Sequence, residues 1–132
     1  MKQTPVAYET RTALAFDQAI EACREALGAE GFGVLTEIDI QATLKKKLDV
    51  DRDPFVILGA CHPPSANRAL NAAPEIAVLL PCNVTVSIED GETVVRAMNP
   101  NGVMEMLDDP NVTDVATEVA GALQRVIRAV ES

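Results

Sequence analysis

Two cysteines and the one histidine of the chain are the residues whose types point most directly to chemistry. Cys61 and His62 follow a continuously apolar stretch and precede two prolines, and Cys82 follows Pro81. A thiol at a helix start lies near backbone N–H groups, which stabilise the thiolate form. We therefore take Cys61 as the candidate reactive thiol. If the strands that carry Cys61 and Cys82 are neighbours, we expect the two thiols to meet at one edge of the sheet.

Three interpretations of this group stay open at the level of sequence. A reactive thiol pair requires the two Cα atoms to lie within ~7 Å of each other. A metal site requires about four ligands, whereas Cys61, His62 and Cys82 supply fewer and no Cys-x-x-Cys spacing occurs, so we predict no metal. In the third interpretation both cysteines only fill the core and His62 is a helix cap or simply exposed. Cys23 lies on the apolar face of a predicted helix, which indicates a buried and inert thiol.

The composition is typical of one globular domain that binds neither nucleic acid nor membranes. The chain of 132 residues is 48% hydrophobic and 23% charged, which favours a single domain over residues 1–132. The formal net charge of -9 repels phosphate backbones and anionic lipids. The longest apolar runs are far too short to span a bilayer, and no targeting signal is visible. Three cysteines in such a chain are typical of free thiols in a reducing compartment, so we predict a cytoplasmic protein.

Apolar periodicity predicts the elements that would position these thiols. Predicted strands cover residues 5–10, 31–38, 55–60, 76–88 with a break at Pro81, and 92–98. Predicted helices cover residues 12–27, 39–48, 66–73, 103–107 and 109–130. Asp90-Gly91 is a strong hairpin signal between the last two strands. We expect an α+β fold with a single mixed sheet of four to five strands and helices packed on one face.

The last predicted helix carries the clearest pattern of the chain. Asp109 is placed to cap it, and Pro110 fits its first turn. Its apolar stripe must be buried against the sheet or against a partner subunit. In the second predicted helix, the spacing predicts that Leu44 and Leu48 face inward. The stripe of the last helix consists of Val112, Val115, Ala116, Val119, Leu123, Val126, Ile127 and Val130.

Two motifs at this spacing resemble the Domain of Unknown Function 302 family over about residues 12–130. They are Gly59-Ala60-Cys61-His62-Pro63-x-x-Ala66 and Leu80-Pro81-Cys82-Asn83-Val84-x-Val86. The resemblance implies a fold of the TATA-binding-protein-like type, a homodimer and a bacterial or archaeal source, but no established activity. It also implies that the two motif cysteines are Cys61 and Cys82, and that the position of His62 varies, often to Asn.

Two functional hypotheses from different classes follow. The first is a dimeric binding module that holds a partner, a small molecule or a sulfur-containing ligand at a site near Cys61, His62, Cys82 and Asn83. The second is a thiol-dependent enzyme or sulfur carrier that uses Cys61 as nucleophile and Cys82 as the second thiol. We favour the binding module, because the sequence offers no general base other than His62. No cofactor is predicted for either hypothesis.

Overall fold

Strands and helices are interspersed along the chain, and the computed structural model describes residues 1–131 of it. The strands are β1 (Lys2–Gln3), β2 (Ala7–Thr12), β3 (Gly33–Asp39), β4 (Phe55–Cys61), β5 (Cys82–Glu89) and β6 (Glu92–Met98). The helices are α1 (Phe16–Ala29), α2 (Ile40–Leu48), α3 (Pro63–Ala72), α4 (Pro100–Met104) and α5 (Pro110–Val130). Two segments of 3₁₀ helix cover Pro74–Leu79 and Glu105–Leu107.

The strands form one open sheet in the order β1-β2-β6-β5-β4-β3. Every pair of neighbouring strands is antiparallel. The predicted α+β class is therefore confirmed, whereas the predicted mixed sheet of four to five strands is wrong, because six antiparallel strands are present in the described part of the chain. The predicted number of strands is too low because it omits β1, a strand of two residues that is too short to show any periodicity.

Helices α1 and α5 cover one face of this sheet and also pack against each other. The strand residues on this face are fully or nearly fully buried, and register places Leu58 opposite Val84 and Val86 opposite Val95. Small and β-branched side chains fit this interface because they lie flat on a pleated surface. Burial of this face supplies the main hydrophobic core.

Helix α5 is the element that the sequence predicts best. The side chain of Asp109 accepts a hydrogen bond from the backbone N–H of Asn111, and Pro110 occupies the first turn. Every residue of the predicted apolar stripe is buried. The stripe faces the sheet, α1, α3 and α4.

Two predicted elements need correction. Residues 76–79 belong to a 3₁₀ helix that begins at Pro74, so the strand starts only at Cys82, after Pro81. An apolar run of this length does not distinguish a strand from a short buried helix. Leu48 is 67% exposed and does not face inward, since α2 buries none of its side chains.

Among residues 1–131, no helix combines the length and the apolar character that a membrane span requires.

Candidate functional site

The antiparallel pairing of β4 with β5 brings the two motif cysteines to the same end of the sheet. Strand β4 ends at Cys61 and strand β5 begins at Cys82, with Ala60 directly opposite Cys82. Directly opposite residues on antiparallel strands have Cα atoms about 4.5–5.5 Å apart. Cys61 is the next residue of β4 after Ala60, so its backbone lies close to that of Cys82. All three cysteines of the chain are free thiols.

Both thiols line a cavity of about 310 Å³ between this end of the sheet and the helices. Helices α4 and α5 supply one apolar wall, through Met104, Val115, Ala116 and Val119. The cavity lies at the lower end of the volumes that small-molecule sites occupy, and such sites are largely apolar with a few polar groups.

The third wall of the cavity is the amino-terminal half of α3. His62 caps this helix: its Nδ1 accepts a hydrogen bond from the backbone N–H of Ser65 at 3.4 Å and lies 2.7 Å from Ser65 Oγ. The imidazole ring also packs against the ring of Phe32, with the centroids 5.3 Å apart. Both His62 and Ser65 line the cavity, so the residue that starts α3 also forms part of the wall.

Gly31 allows this close approach of the histidine ring. A Cβ atom built on Gly31 would lie 3.2 Å from Nε2 of His62, and the backbone there has a φ of +84°. Only glycine adopts such a backbone without strain. The turn between α1 and β3 is therefore shaped around the imidazole of His62.

Asn83 stands apart from this group. It is exposed and does not line the cavity, since register places it opposite Gly59 and strand alternation turns it away from Cys82. Of the four candidate residues, the structure thus brings together Cys61, His62 and Cys82 and leaves Asn83 outside.

Burial controls the chemistry of two of the thiols. It raises the pKa of Cys82 to about 11, with a smaller contribution from the neighbouring Cys61 thiol. Burial alone raises the pKa of Cys23, on α1, to about 12. Both groups are neutral thiols at physiological pH. Cys61 is only partly buried.

No group of three or more His, Cys, Asp and Glu residues is placed to hold a metal ion among residues 1–131.

Sequence reasoning missed the apolar wall of the cavity, including Pro100 and Met104 from α4. These residues lie far along the chain from Cys61, and nothing in their local pattern distinguishes a cavity wall from ordinary core. The one signal is Ala116, a small residue within a stripe of larger side chains on α5.

Comparisons with known proteins agree with the motif resemblance. A model of the family described as "Domain of unknown function DUF302" matches residues 8–130. No curated protein matches the chain. The chain is similar to a crystal structure described as an uncharacterized conserved protein DUF302 from Bacillus stearothermophilus. The two are 30% identical with a TM-score of 0.88, and the match covers 94% of this chain and 97% of that one.

Proposed function

We propose that this chain, which belongs to the DUF302 family, is a binding module that holds a small molecule in the cavity beside Cys61 and Cys82. Family membership assigns no activity, so the proposal depends on the site. The observation that carries it is the cavity of about 310 Å³. Its wall is mostly apolar and is formed in part by α3, α4 and α5. Pockets of this kind are the usual binding sites of small molecules.

Binding without turnover fits the groups that line the cavity. A general base needs a lone pair that is free to take a proton from the substrate. The Nδ1 atom of His62 is already engaged with the backbone N–H and the hydroxyl of Ser65. No carboxylate or amine side chain lines the cavity among the described residues. The lining therefore favours recognition of a ligand.

Thiol chemistry is the alternative, favoured by the presence of Cys61 and Cys82 on one cavity wall. A thiol-dependent enzyme or sulfur carrier would use Cys61 as the nucleophile and Cys82 as the second thiol. The raised pKa of Cys82 opposes this role, because a resolving thiol attacks as the thiolate. A sulfur-containing ligand is compatible with the binding module as well, since both cysteines line the cavity.

The binding proposal is tested with a neutral fluorescent probe, N-phenyl-1-naphthylamine, whose emission rises in apolar sites. The chain contains no tryptophan, so the titration has little protein background. We expect saturable binding of one probe per chain, weakened at least tenfold by Ala116→Phe, which fills the cavity from α5. Equal binding by this variant would overturn the proposal.

Ala42→Phe is the matched control. Ala42 lies on the exposed surface of α2, so the same phenyl ring is added outside the cavity. Its probe affinity should equal that of the parent chain. Circular dichroism of both variants establishes that each retains its helices before the affinities are compared.

The dimer implied by the family resemblance is a second part of the proposal. Strand β3 is one edge of the sheet and has a partner on one side only, so its outer N–H and C=O groups are free to pair. Leu35 and Ile38 on this strand are exposed. These features favour pairing of β3 with its copy in a second chain. The TATA-binding-protein-like fold type and a cytoplasmic location remain predictions.

A further inference from the structure

We infer that the cavity selects an uncharged, mainly apolar molecule with one hydrogen-bond acceptor, which the Nε2–H group of His62 contacts. This inference rests on the proposed binding function and adds the chemical class of the ligand. Three features carry it: the absence of charge in the lining, the engaged Nδ1 atom of His62, and the apolar mouth of the cavity.

The lining excludes charged ligands. No Asp, Glu, Lys or Arg side chain lines the cavity in the part of the chain that the structure describes. The buried thiol of Cys82 is neutral, because its pKa lies near 11. A charged ligand would enter an apolar site without a counter-charge, and burial of an unpaired charge is strongly unfavourable. The net charge of -9 further disfavours anions.

The hydrogen bonds of His62 fix which ligand group it recognises. A backbone amide can only donate, so the bond from the N–H of Ser65 requires a lone pair on Nδ1. The neutral imidazole then carries its proton on Nε2. Nε2 has no hydrogen-bond partner among the described residues, and it is not sealed within the protein. It is therefore a free donor beside Gly31, on a residue that lines the cavity, and it suits a carbonyl, ether or hydroxyl oxygen.

The other polar groups of the wall do not add a second strong contact. The hydroxyl of Ser65 is already paired with Nδ1 of His62. The thiols of Cys61 and Cys82 are weak donors and weak acceptors. One acceptor on an otherwise apolar ligand thus matches the polar capacity of the site, and any further polar group would be buried without a partner.

The mouth of the cavity extends the apolar surface outward. Leu35 and Leu70 line the cavity and yet remain exposed, Leu35 by 66% of its surface. An apolar tail that projects beyond the cavity would cover these side chains and remove their surface from water. An alkyl ketone has this form, with a compact polar end and a flexible apolar tail.

The test is displacement of N-phenyl-1-naphthylamine by four ligands of similar size: 2-octanone, n-octane, octanoate and octylammonium. We expect 2-octanone to bind a few-fold to about tenfold more tightly than n-octane, the ratio that one hydrogen bond supplies. Octanoate and octylammonium should bind at least tenfold more weakly than 2-octanone. Equal or tighter binding of either ion would overturn the inference and leave the proposed function standing.

His62→Asn tests the donor directly. Asn is a good helix cap and should keep α3 in place, while its shorter amide does not reach the position of Nε2. We expect this variant to lose the preference for 2-octanone over n-octane and to keep its affinity for n-octane within a few-fold. Retention of the full preference would overturn the role of His62. If the probe itself fails to bind the parent chain, the proposed function is overturned first, and the inference with it.

Discussion

At the scale of single residues, His62 connects the fold to the cavity. Its Nδ1 atom satisfies a backbone N–H of the first turn of α3, a group that has no partner within the helix. The family resemblance implies that Asn often stands at this position. Capping explains the exchange in physical terms, because both side chains can accept from the backbone there. In this chain the role of His62 at the start of α3 is that of a helix cap.

We predict that His62→Ala lowers the free energy of unfolding by about 1 kcal/mol, the usual value of a lost helix cap. His62→Asn should lie within about 0.5 kcal/mol of the parent chain, since the cap is kept. Urea denaturation followed by circular dichroism measures both values. A loss of equal size in the two variants would show that packing of the ring on Phe32, and not capping, stabilises the site.

The thiols supply a second prediction at this scale. Burial raises the pKa of Cys23 to about 12 and that of Cys82 to about 11, so each carries almost no thiolate at pH 8. We expect iodoacetamide at pH 8 to label Cys61 alone in the native protein, as read by mass spectrometry of peptides. The same treatment in denaturant should label all three cysteines. Rapid native labelling of Cys82 would contradict its burial and favour the thiol-dependent alternative.

The site could be predicted only in part. The positions of Cys61 and Cys82 at strand ends follow from local apolar patterns and from the prolines beside them. Asn83 adjoins Cys82 in the motif, but strand alternation places neighbours in sequence on opposite faces. The wall from α4 and α5 depends on packing between distant segments, which no local pattern encodes.

At the scale of elements, α5 and α2 show what periodicity can and cannot tell. Leu123 on α5 is fully buried, whereas Leu48 on α2 is largely exposed, although both occupy the apolar face of an amphipathic pattern. The long stripe on α5 needs a surface as large as the sheet. The short stripe on α2 makes only partial contact, through Ile40 and Leu44.

We therefore predict very different results for the same truncation in the two helices. Leu123→Ala should lower the free energy of unfolding by about 2–5 kcal/mol, through lost burial and a new cavity. Leu48→Ala should change it by less than about 0.5 kcal/mol. Urea denaturation of both variants checks the difference, and a similar loss for Leu48→Ala would mean that α2 is covered in solution.

An ion-pair network joins three strands on the face of the sheet opposite α1 and α5. Arg96 on β6 pairs with Glu9 on β2 at 2.7 Å and makes a two-pronged contact with Glu89 on β5. Ser87 also donates a hydrogen bond to Glu89. These contacts lower the pKa of Glu89 from 4.5 to about 2, chiefly through Arg96.

The network predicts a pH dependence of stability. The folded state holds Glu89 ionised to lower pH than the unfolded chain does, so its stabilisation is complete above about pH 4.5 and is lost as the pH falls toward 2. Glu89→Gln should be less stable than the parent chain at pH 7, and the difference should shrink toward pH 2. Thermal denaturation across this range measures it. A constant difference between the two proteins would contradict the assignment.

The hairpin shows why some elements were predictable and their order was not. Asp90 and Gly91 both have positive φ, as the two-residue turn between β5 and β6 requires, and this signal is local. The placement of β2 beside β6 and of β3 at the edge depends on long-range pairing. Periodicity is the same for any strand order, so no window of sequence distinguishes them.

At the scale of the whole molecule, the sheet has two very different edges. Strand β1 has only two residues, which leaves little edge to pair, whereas β3 has seven and carries exposed apolar side chains. Soluble proteins usually protect long edges with charged residues, bulges or a covering element. Here a bulge interrupts the pairing of β3 with β4 between Val34 and Thr36, and Glu37 and Asp39 add charge near one end. The stretch around Ile38 remains the part of the edge that is open to a partner.

We predict that the chain is a dimer in solution and that the edge of β3 forms its interface. Two copies of one strand can pair antiparallel about a two-fold axis, so the same surface serves both partners. Ile38→Lys adds a charge that opposes pairing at this edge and should shift the species from twice the chain mass to the chain mass in sedimentation equilibrium. Leu48→Lys adds the same charge at an exposed apolar residue off the sheet and should remain dimeric. A parent chain that sediments as a monomer at millimolar concentration would refute the dimer, and dissociation by Leu48→Lys alone would place the interface on α2 instead of β3.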